Sequence, residues 1–271
     1  MMPFLYNKVS RKGVILVGGT ATRLYPTTLA VSKKLFPVYD KPMIYYSLSV
    51  LILARIREVL VICTPADLHR FRQLFGDVSQ WWLMFSYAEP FLAEEPVCLI
   101  LSDNLLYGAV LPMQLRQAMT DEQSKALAII ETPAQPASHY AVTDLYFFDA
   151  NVVEFAKQLT PSARSELEIT DINHCYCAQG QLQVAFLGQD CVWLDTGTPG
   201  SLQEAGQFIQ TLEKWQGLKL AITWRQVWLH DEQLYGLAQM LAKSDYGQYF
   251  LRLRIPRVAI TNVNQSSLGE L

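Results

Sequence analysis

Four consecutive apolar residues, Val14-Ile15-Leu16-Val17, run straight into Gly18-Gly19. An apolar run with no polar alternation is buried on both faces, as the strands of a parallel sheet are. It commits the chain to an α/β architecture in which helices cover the sheet. Paired glycines at the strand's end let the backbone turn sharply and come close to a ligand. Thr20, Ala21 and Thr22 then offer backbone N–H groups and two hydroxyls, with Arg23 behind them and Lys33, Lys34 and Lys41 further on. Converging N–H groups favour an anion, and with these cations the expected guest is a polyphosphate. No Gly-Lys-Ser/Thr follows the glycines, so the loop is not a P-loop. No G-x-G-x-x-G is present there either, so it is not a dinucleotide fingerprint. On the Gly-Gly pair alone, an ordinary strand-to-loop turn with solvated cations stays open.

The rest of the chain repeats the alternation. Met43 to Ala54 is apolar nearly all round, as a buried helix would be, and Glu58 to Cys63 reads as a second strand. Thr64-Pro65 starts a helix running to about Phe75, with proline at its first position. Trp81 to Tyr87 and Val97 to Leu101 are strand-like, Tyr140 to Phe155 reads as a strand followed by a helix, and a further strand is expected near Leu182 to Leu187. Long helices are expected from Ser201 to Gly217 and from His230 to Lys243. Strands alternating with helices give a mostly parallel sheet covered on both faces, with its active site beyond the carboxyl ends of the strands. Gly18-Gly19 lies at such an end, and so does Asp103 after Val97 to Leu101. A carboxylate there suits a divalent cation held against phosphate oxygens, although an Asp-Asn turn is the plainer reading of Ser102-Asp103-Asn104.

A net charge of −3 on 271 residues supplies no basic face for nucleic acid. The phosphate must therefore be met by local cations. Five cysteines without metal-type spacing read as packing residues of a reduced, cytoplasmic protein. The apolar stretches are broken by charge before they reach membrane-spanning length.

The whole stretch GG-T-A-T-R-L-Y-P-T-T, followed by S-K-K-L-F-P-V-Y-D-K-P-M-I, is far more specific than its glycines. It resembles the signature of the sugar-phosphate nucleotidyltransferases, and its thymidylyl-transferring members above all. Residues 12–254 carry the resemblance. It implies a three-layer, Rossmann-like nucleotidyltransferase fold over residues 1–254, with 255–271 an unmatched and disordered tail. The implied reaction takes dTTP and glucose 1-phosphate to dTDP-glucose and pyrophosphate. The implied cofactor is magnesium, held by Asp103 and by Asp195 of Trp193-Leu-Asp-Thr-Gly-Thr198. Arg23 and Lys33 would meet the phosphates, with Gly18, Gly19, Thr20, Ala21 and Thr22 as the cradle. Glu131 and Glu166 would bind the sugar, although Glu166 on spacing alone reads as a solvated helix-start residue. Homo-oligomeric assembly, without nucleic acid or membrane, is implied as well.

The chain also departs from the pattern. Ala21 and Ser102 stand where the family has glycine, and Thr132 stands where it has the lysine that meets the sugar phosphate. Pro199-Gly200 replaces a His-Asp pair. The stretches from Tyr87 to Val97 and from Met119 to Ala128 are shorter than the family's, and the first of them would have read the base. If Ala21 needs a positive φ, its Cβ costs about 1–2 kcal/mol. A strand lost from inside a sheet forces its neighbours to re-pair or leaves an edge exposed. The triphosphate side is thus retained and the base and sugar side eroded. Poor discrimination among bases, or a non-catalytic nucleotide-binding relative, is therefore also to be weighed.

Overall fold

The computed structural model describes residues 11–19, 21–75, 83–84, 91–92, 95–120, 126–130, 142–162, 167–188, 190–221 and 231–253. The strands, in chain order, are β1 (Lys12–Leu16), β2 (Pro37–Val38), β3 (Lys41–Pro42), β4 (Val59–Ile62), β5 (Leu83–Met84), β6 (Val97–Leu101), β7 (Asn104–Tyr107), β8 (Ala126–Ile130), β9 (Val142–Phe148), β10 (Leu182–Val184) and β11 (Val192–Asp195). The helices are α1 (Ile44–Leu53), α2 (Pro65–Phe75), α3 (Leu111–Thr120), α4 (Val152–Gln158), α5 (Ile169–Ala178), α6 (Pro199–Gln216), α7 (Asp231–Met240) and α8 (Asp245–Leu253).

Seven strands form one sheet in the order β10-β8-β9-β6-β1-β4-β5. Strand β1 lies inside it, parallel to β4 on one side and β6 on the other. Its residues alternate between two apolar layers, as a strand's must. A Cβ on Gly13 would lie 2.9 Å from Leu51 of α1, so the strand presents its smallest residue to that helix. Val14 faces the opposite layer, with Leu60, Tyr146, Phe148, Val152 of α4 and Ile172 and Tyr176 of α5. Helices thus cover both faces of a mostly parallel sheet. The expectation of a buried helix near residues 43–54 is met by α1, whose residues from Ile44 to Ile52 are buried.

Two features place the chemistry. First, β9 runs antiparallel to β6, with Leu145 opposite Ile100 and Tyr146 opposite Leu99. The amino end of β9 therefore reaches the edge where the carboxyl ends of β1 and β6 open. Second, the shortened stretch before residue 128 leaves the sheet continuous among the described residues. β8 pairs antiparallel with β9 across an irregularity between Ala128 and Ile130, and β10 pairs parallel with β8. The chain divides into two compact units, residues 1–227 and 228–271, and in the second α7 and α8 are the described elements.

Candidate active site

The loop after β1 is tied down before it is shaped. Val17 N–H donates to the carbonyl of Ile62 at 2.9 Å, extending the β1–β4 pairing by one residue. Gly18 and Gly19 then lie exposed, and Gly19 has φ +106°, a conformation open to glycine and strained for other residues. Ala21 has φ 45° and ψ 46°, in the left-handed region. The strain that its Cβ implied is therefore present. The carbonyl of Ala21 holds the bend by accepting from Leu24 N–H at 2.9 Å and Thr28 Oγ1 at 3.0 Å. Thr22–Leu24 forms a 3-10 turn that leaves Arg23 exposed, and Thr20 lies outside the described residues.

Across from this loop, Ser102 donates from Oγ to the carbonyl of Leu16 at 2.7 Å, stitching the end of β6 to β1. The next residue, Asp103, receives Lys33 Nζ at 3.0 Å and Lys34 Nζ at 3.2 Å, both on Oδ2. Burial alone would raise the Asp103 carboxyl, but Lys34 and Lys33 outweigh it and hold it down at about 2. One correction follows. The reading of these cations as solvated side chains does not hold for Lys33 and Lys34, which are both buried. The 3-10 turn Lys33–Leu35 aims both ammoniums at one carboxylate. Burial pulls the Lys34 ammonium down, and attraction to Asp103 recovers only part of this.

Asp195 arrives on a different element. Strand β11 pairs antiparallel with β7, and Asp195 lies opposite Asn104. Thr196 locks the turn by donating to the Asp103 carbonyl from Oγ1 at 2.7 Å and from its N–H at 3.1 Å. The two aspartates are thereby held on neighbouring backbones. Gly197 is small for a reason: a Cβ there would lie 2.7 Å from Asp195 Oδ2 and 3.1 Å from Arg23 Cζ and Nη2. Arg23 and Asp195 thus approach the same point. Thr198 caps α6, its side chain accepting from Ser201 N–H at 3.2 Å.

The fourth cation of the sequence reading, Lys41, is used elsewhere. It is 2% exposed and pairs with Asp40 at 2.5 Å and with Glu213 of α6 at 2.8 Å. Lys219 closes the ring on Asp40 and Glu213 at 2.5 and 2.8 Å. These alternating charges clamp the β2–β3 hairpin, which follows the signature loop, to α6. Lys41 is thereby a fixture of the scaffold.

One acidic residue of the site was not singled out from the sequence. Asp144, near the amino end of β9, has φ 54° and accepts from Asn104 Nδ2 at 2.9 Å and from Tyr146 OH at 3.0 Å. Trp193 Nε1 in turn donates to Asn104 Oδ1 at 2.7 Å. Burial raises the Asp144 carboxyl, the two hydrogen bonds oppose that, and the charges of Asp103 and Asp195 add to the rise. Its bond to Asn104, the residue after Asp103 and opposite Asp195, holds it on the same side of the site as both candidate metal-binding carboxylates. The available signal was an aspartate inside the strand run Val142-Thr-Asp-Leu-Tyr-Phe-Phe148, a position that strands disfavour. Glu131, Thr132 and Glu166 lie outside the described residues.

Comparison with known proteins identifies the family. The family described as "Nucleotidyl transferase" matches residues 12–130 and 117–211, two segments that overlap over residues 117–130. The glucose-1-phosphate thymidylyltransferase of Neisseria meningitidis is 46% identical over 284 positions, covering 89% of this chain and 99% of its own. That alignment is longer than the chain, so the relative carries residues without counterpart here. The enzyme of the same name from Mycobacterium tuberculosis is 41% identical over 89% of this chain and 98% of its own. A crystal structure from Bacillus anthracis, solved with sucrose, is 30% identical with a TM-score of 0.64, covering 73% of this chain and 95% of that one. The chain therefore belongs to the nucleotidyl transferase family.

Proposed function

We propose that this protein transfers a thymidylyl group from dTTP to glucose 1-phosphate, giving dTDP-glucose and pyrophosphate. The observation that carries the reading is the convergence of Lys33 and Lys34 on Asp103, with Arg23 and Asp195 meeting at Gly197, around the glycine loop at the end of β1. The relatives' shared name supplies the substrates.

The reaction asks little covalent chemistry of the protein. An oxygen of the sugar phosphate attacks the α-phosphorus in line and pyrophosphate leaves, so alignment and charge neutralisation carry the catalysis. In this reading, backbone N–H groups from Gly18 to Thr22, with Thr20 among them, cradle the triphosphate. Arg23 and Lys33 take up charge on the departing pyrophosphate. Lys34 keeps Asp103 ionised and oriented. Glu131 and Glu166 bind sugar hydroxyls, and residues 1–254 form the catalytic domain, working in the cytoplasm as a homo-oligomer.

The donor set suits magnesium. Asp103 and Asp195 offer hard carboxylate oxygens, and magnesium is commonly held by one or two carboxylates plus substrate phosphates. Among the described residues no group of three or more acidic, histidine or cysteine side chains is placed to hold a metal, so the phosphates would complete the shell. When bound, magnesium would screen the repulsion between the two phosphate substrates. Among the described residues no helix is long and apolar enough to cross a membrane.

The test is a pyrophosphate-release assay with dTTP, UTP and ATP against glucose 1-phosphate and other sugar phosphates, with and without magnesium. Release that needs dTTP, glucose 1-phosphate and magnesium supports the reading. Binding of dTTP without release from any sugar phosphate is the outcome expected of a non-catalytic relative.

A further inference from the structure

We infer that Asp144 is a specificity-determining residue for the acceptor, its carboxylate accepting a hydrogen bond from a hydroxyl of the sugar. This deepens the proposed transfer to a sugar phosphate and rests on it.

Position comes first. The glycine loop lies at the end of β1, Asp103 at the end of β6, and Asp144 near the amino end of β9; these strands are consecutive neighbours in the sheet. The pyrophosphate half of the nucleotide belongs on the loop. In an in-line displacement the attacking oxygen enters opposite the leaving group. The acceptor must therefore approach from the side of the aspartates away from the loop, which is the side where β9 carries Asp144.

Chemistry then narrows the role. A general base is not needed, because the attacking phosphate oxygen is already anionic. A third ligand on a shared ion is not supported, since the three aspartates do not form a group that could hold one. A phosphate would be repelled by a carboxylate beside Asp103 and Asp195. What a carboxylate can take there is the neutral, hydroxyl-bearing part of a substrate. Its oxygens have room for this: Oδ2 accepts from Asn104 and Oδ1 from Tyr146, while each carboxylate oxygen offers about two acceptor sites. The braced chain Trp193–Asn104–Asp144 fixes its direction. The positive φ adds to the case, because a strained non-glycine conformation costs stability and persists where something else requires it.

The hydroxyl could belong to the hexose or to the sugar of the nucleotide, and the experiment separates them. Wild type and Asp144→Asn are compared for KM toward glucose 1-phosphate and toward dTTP, and for equilibrium binding of glucose 1-phosphate in the presence of magnesium and a non-hydrolysable dTTP analogue. A set of glucose 1-phosphates each lacking one hydroxyl is run in parallel. The asparagine variant is near-isosteric and tolerates the same backbone, and the analogue set tests wild type without any substitution. The expected result is a rise in KM and Kd for glucose 1-phosphate of about tenfold or more, with the dTTP KM unchanged. One deoxy analogue should lose as much on wild type and nothing further on the variant. An equal shift for dTTP, no shift at all, or analogue losses that persist undiminished in the variant would overturn the inference. If wild type shows no turnover, the proposed function falls, while the binding comparison still decides the role of Asp144.

Discussion

Asp103→Asn removes the carboxylate that two buried lysines share. Lys33 and Lys34 approach its Oδ2 at 3.0 and 3.2 Å, and their side chains are 4% and 8% exposed. At such a distance and an effective dielectric near 20, each contact carries about 5 kcal/mol of attraction before desolvation is subtracted. Removing one partner of a buried pair typically costs about 3–5 kcal/mol. The Asp103 side chain is 26% exposed, so the lower end applies, about 3 kcal/mol at pH 7. At about 2–4 °C per kcal/mol for a chain of this size, Tm should fall by about 6–12 °C. The loss also has a pH signature. The carboxyl is held at about 2 against an ordinary value of 3.8, so the unfolded chain binds the proton more readily. Its contribution is fully present above the ordinary value and is lost as the pH falls through about 2. On the alkaline side, Lys34, already pulled down by burial, sheds its proton more easily in the variant, so the penalty eases as pH rises. Urea denaturation of both proteins from pH 3 to pH 9 should therefore show a difference greatest near neutrality. A difference below about 1 kcal/mol at pH 7, or one constant across that range, would refute the reasoning.

Lys34→Ala should cost about 2–3 kcal/mol in the same denaturation assay, where a solvated lysine would stay within about 0.5. Ala21→Gly should raise stability by about 0.5–1 kcal/mol: it relieves a left-handed Cβ, partly offset by the greater freedom of glycine in the unfolded chain. A calorimetric Tm unchanged or lowered would contradict the left-handed assignment. Glu213→Gln should lose about 3 kcal/mol, because it removes one of the two carboxylates that Lys41 and Lys219 share in the clamp; a neutral result in urea would show the ring to be dispensable. Gly197→Ala should weaken dTTP binding about tenfold or more by displacing Asp195 and Arg23, with a small change in Tm. Titration calorimetry showing unchanged affinity would separate those two residues from the nucleotide.

The parts legible in the sequence were those with a local cause. An unbroken apolar run ending in glycines can be satisfied as a buried strand opening into a loop, and β1 is that strand. Residues 97–101 and the proline-started helix from Pro65 to Phe75 followed from the same periodicity and punctuation. The signature residues, carried by their order and spacing, placed Arg23, Lys33, Asp103 and Asp195 in one reading before any geometry was known. The loop strain at Ala21 was also foreseeable, since it depends on the backbone of one residue.

Pairing and burial were decided by the tertiary structure, because they depend on what distant segments bring. Lys33 and Lys34 are chemically identical neighbours; both are buried where the Asp103 carboxylate, just past the end of β6 and 70 residues from Lys33 in sequence, meets them. Lys41 could have served a phosphate, but Glu213 of α6 and Asp40 hold it in the scaffold. Asp144 lay unremarked within an expected strand, and it is the antiparallel pairing of β9 with β6 that carries it to the site. The sequence alone determined which residue types this protein has available for phosphate, metal and sugar. Which of those charges neutralise one another in the scaffold, and which are left facing a substrate, was set only by the fold, because electrostatic interactions depend on distance and burial and not on separation along the chain.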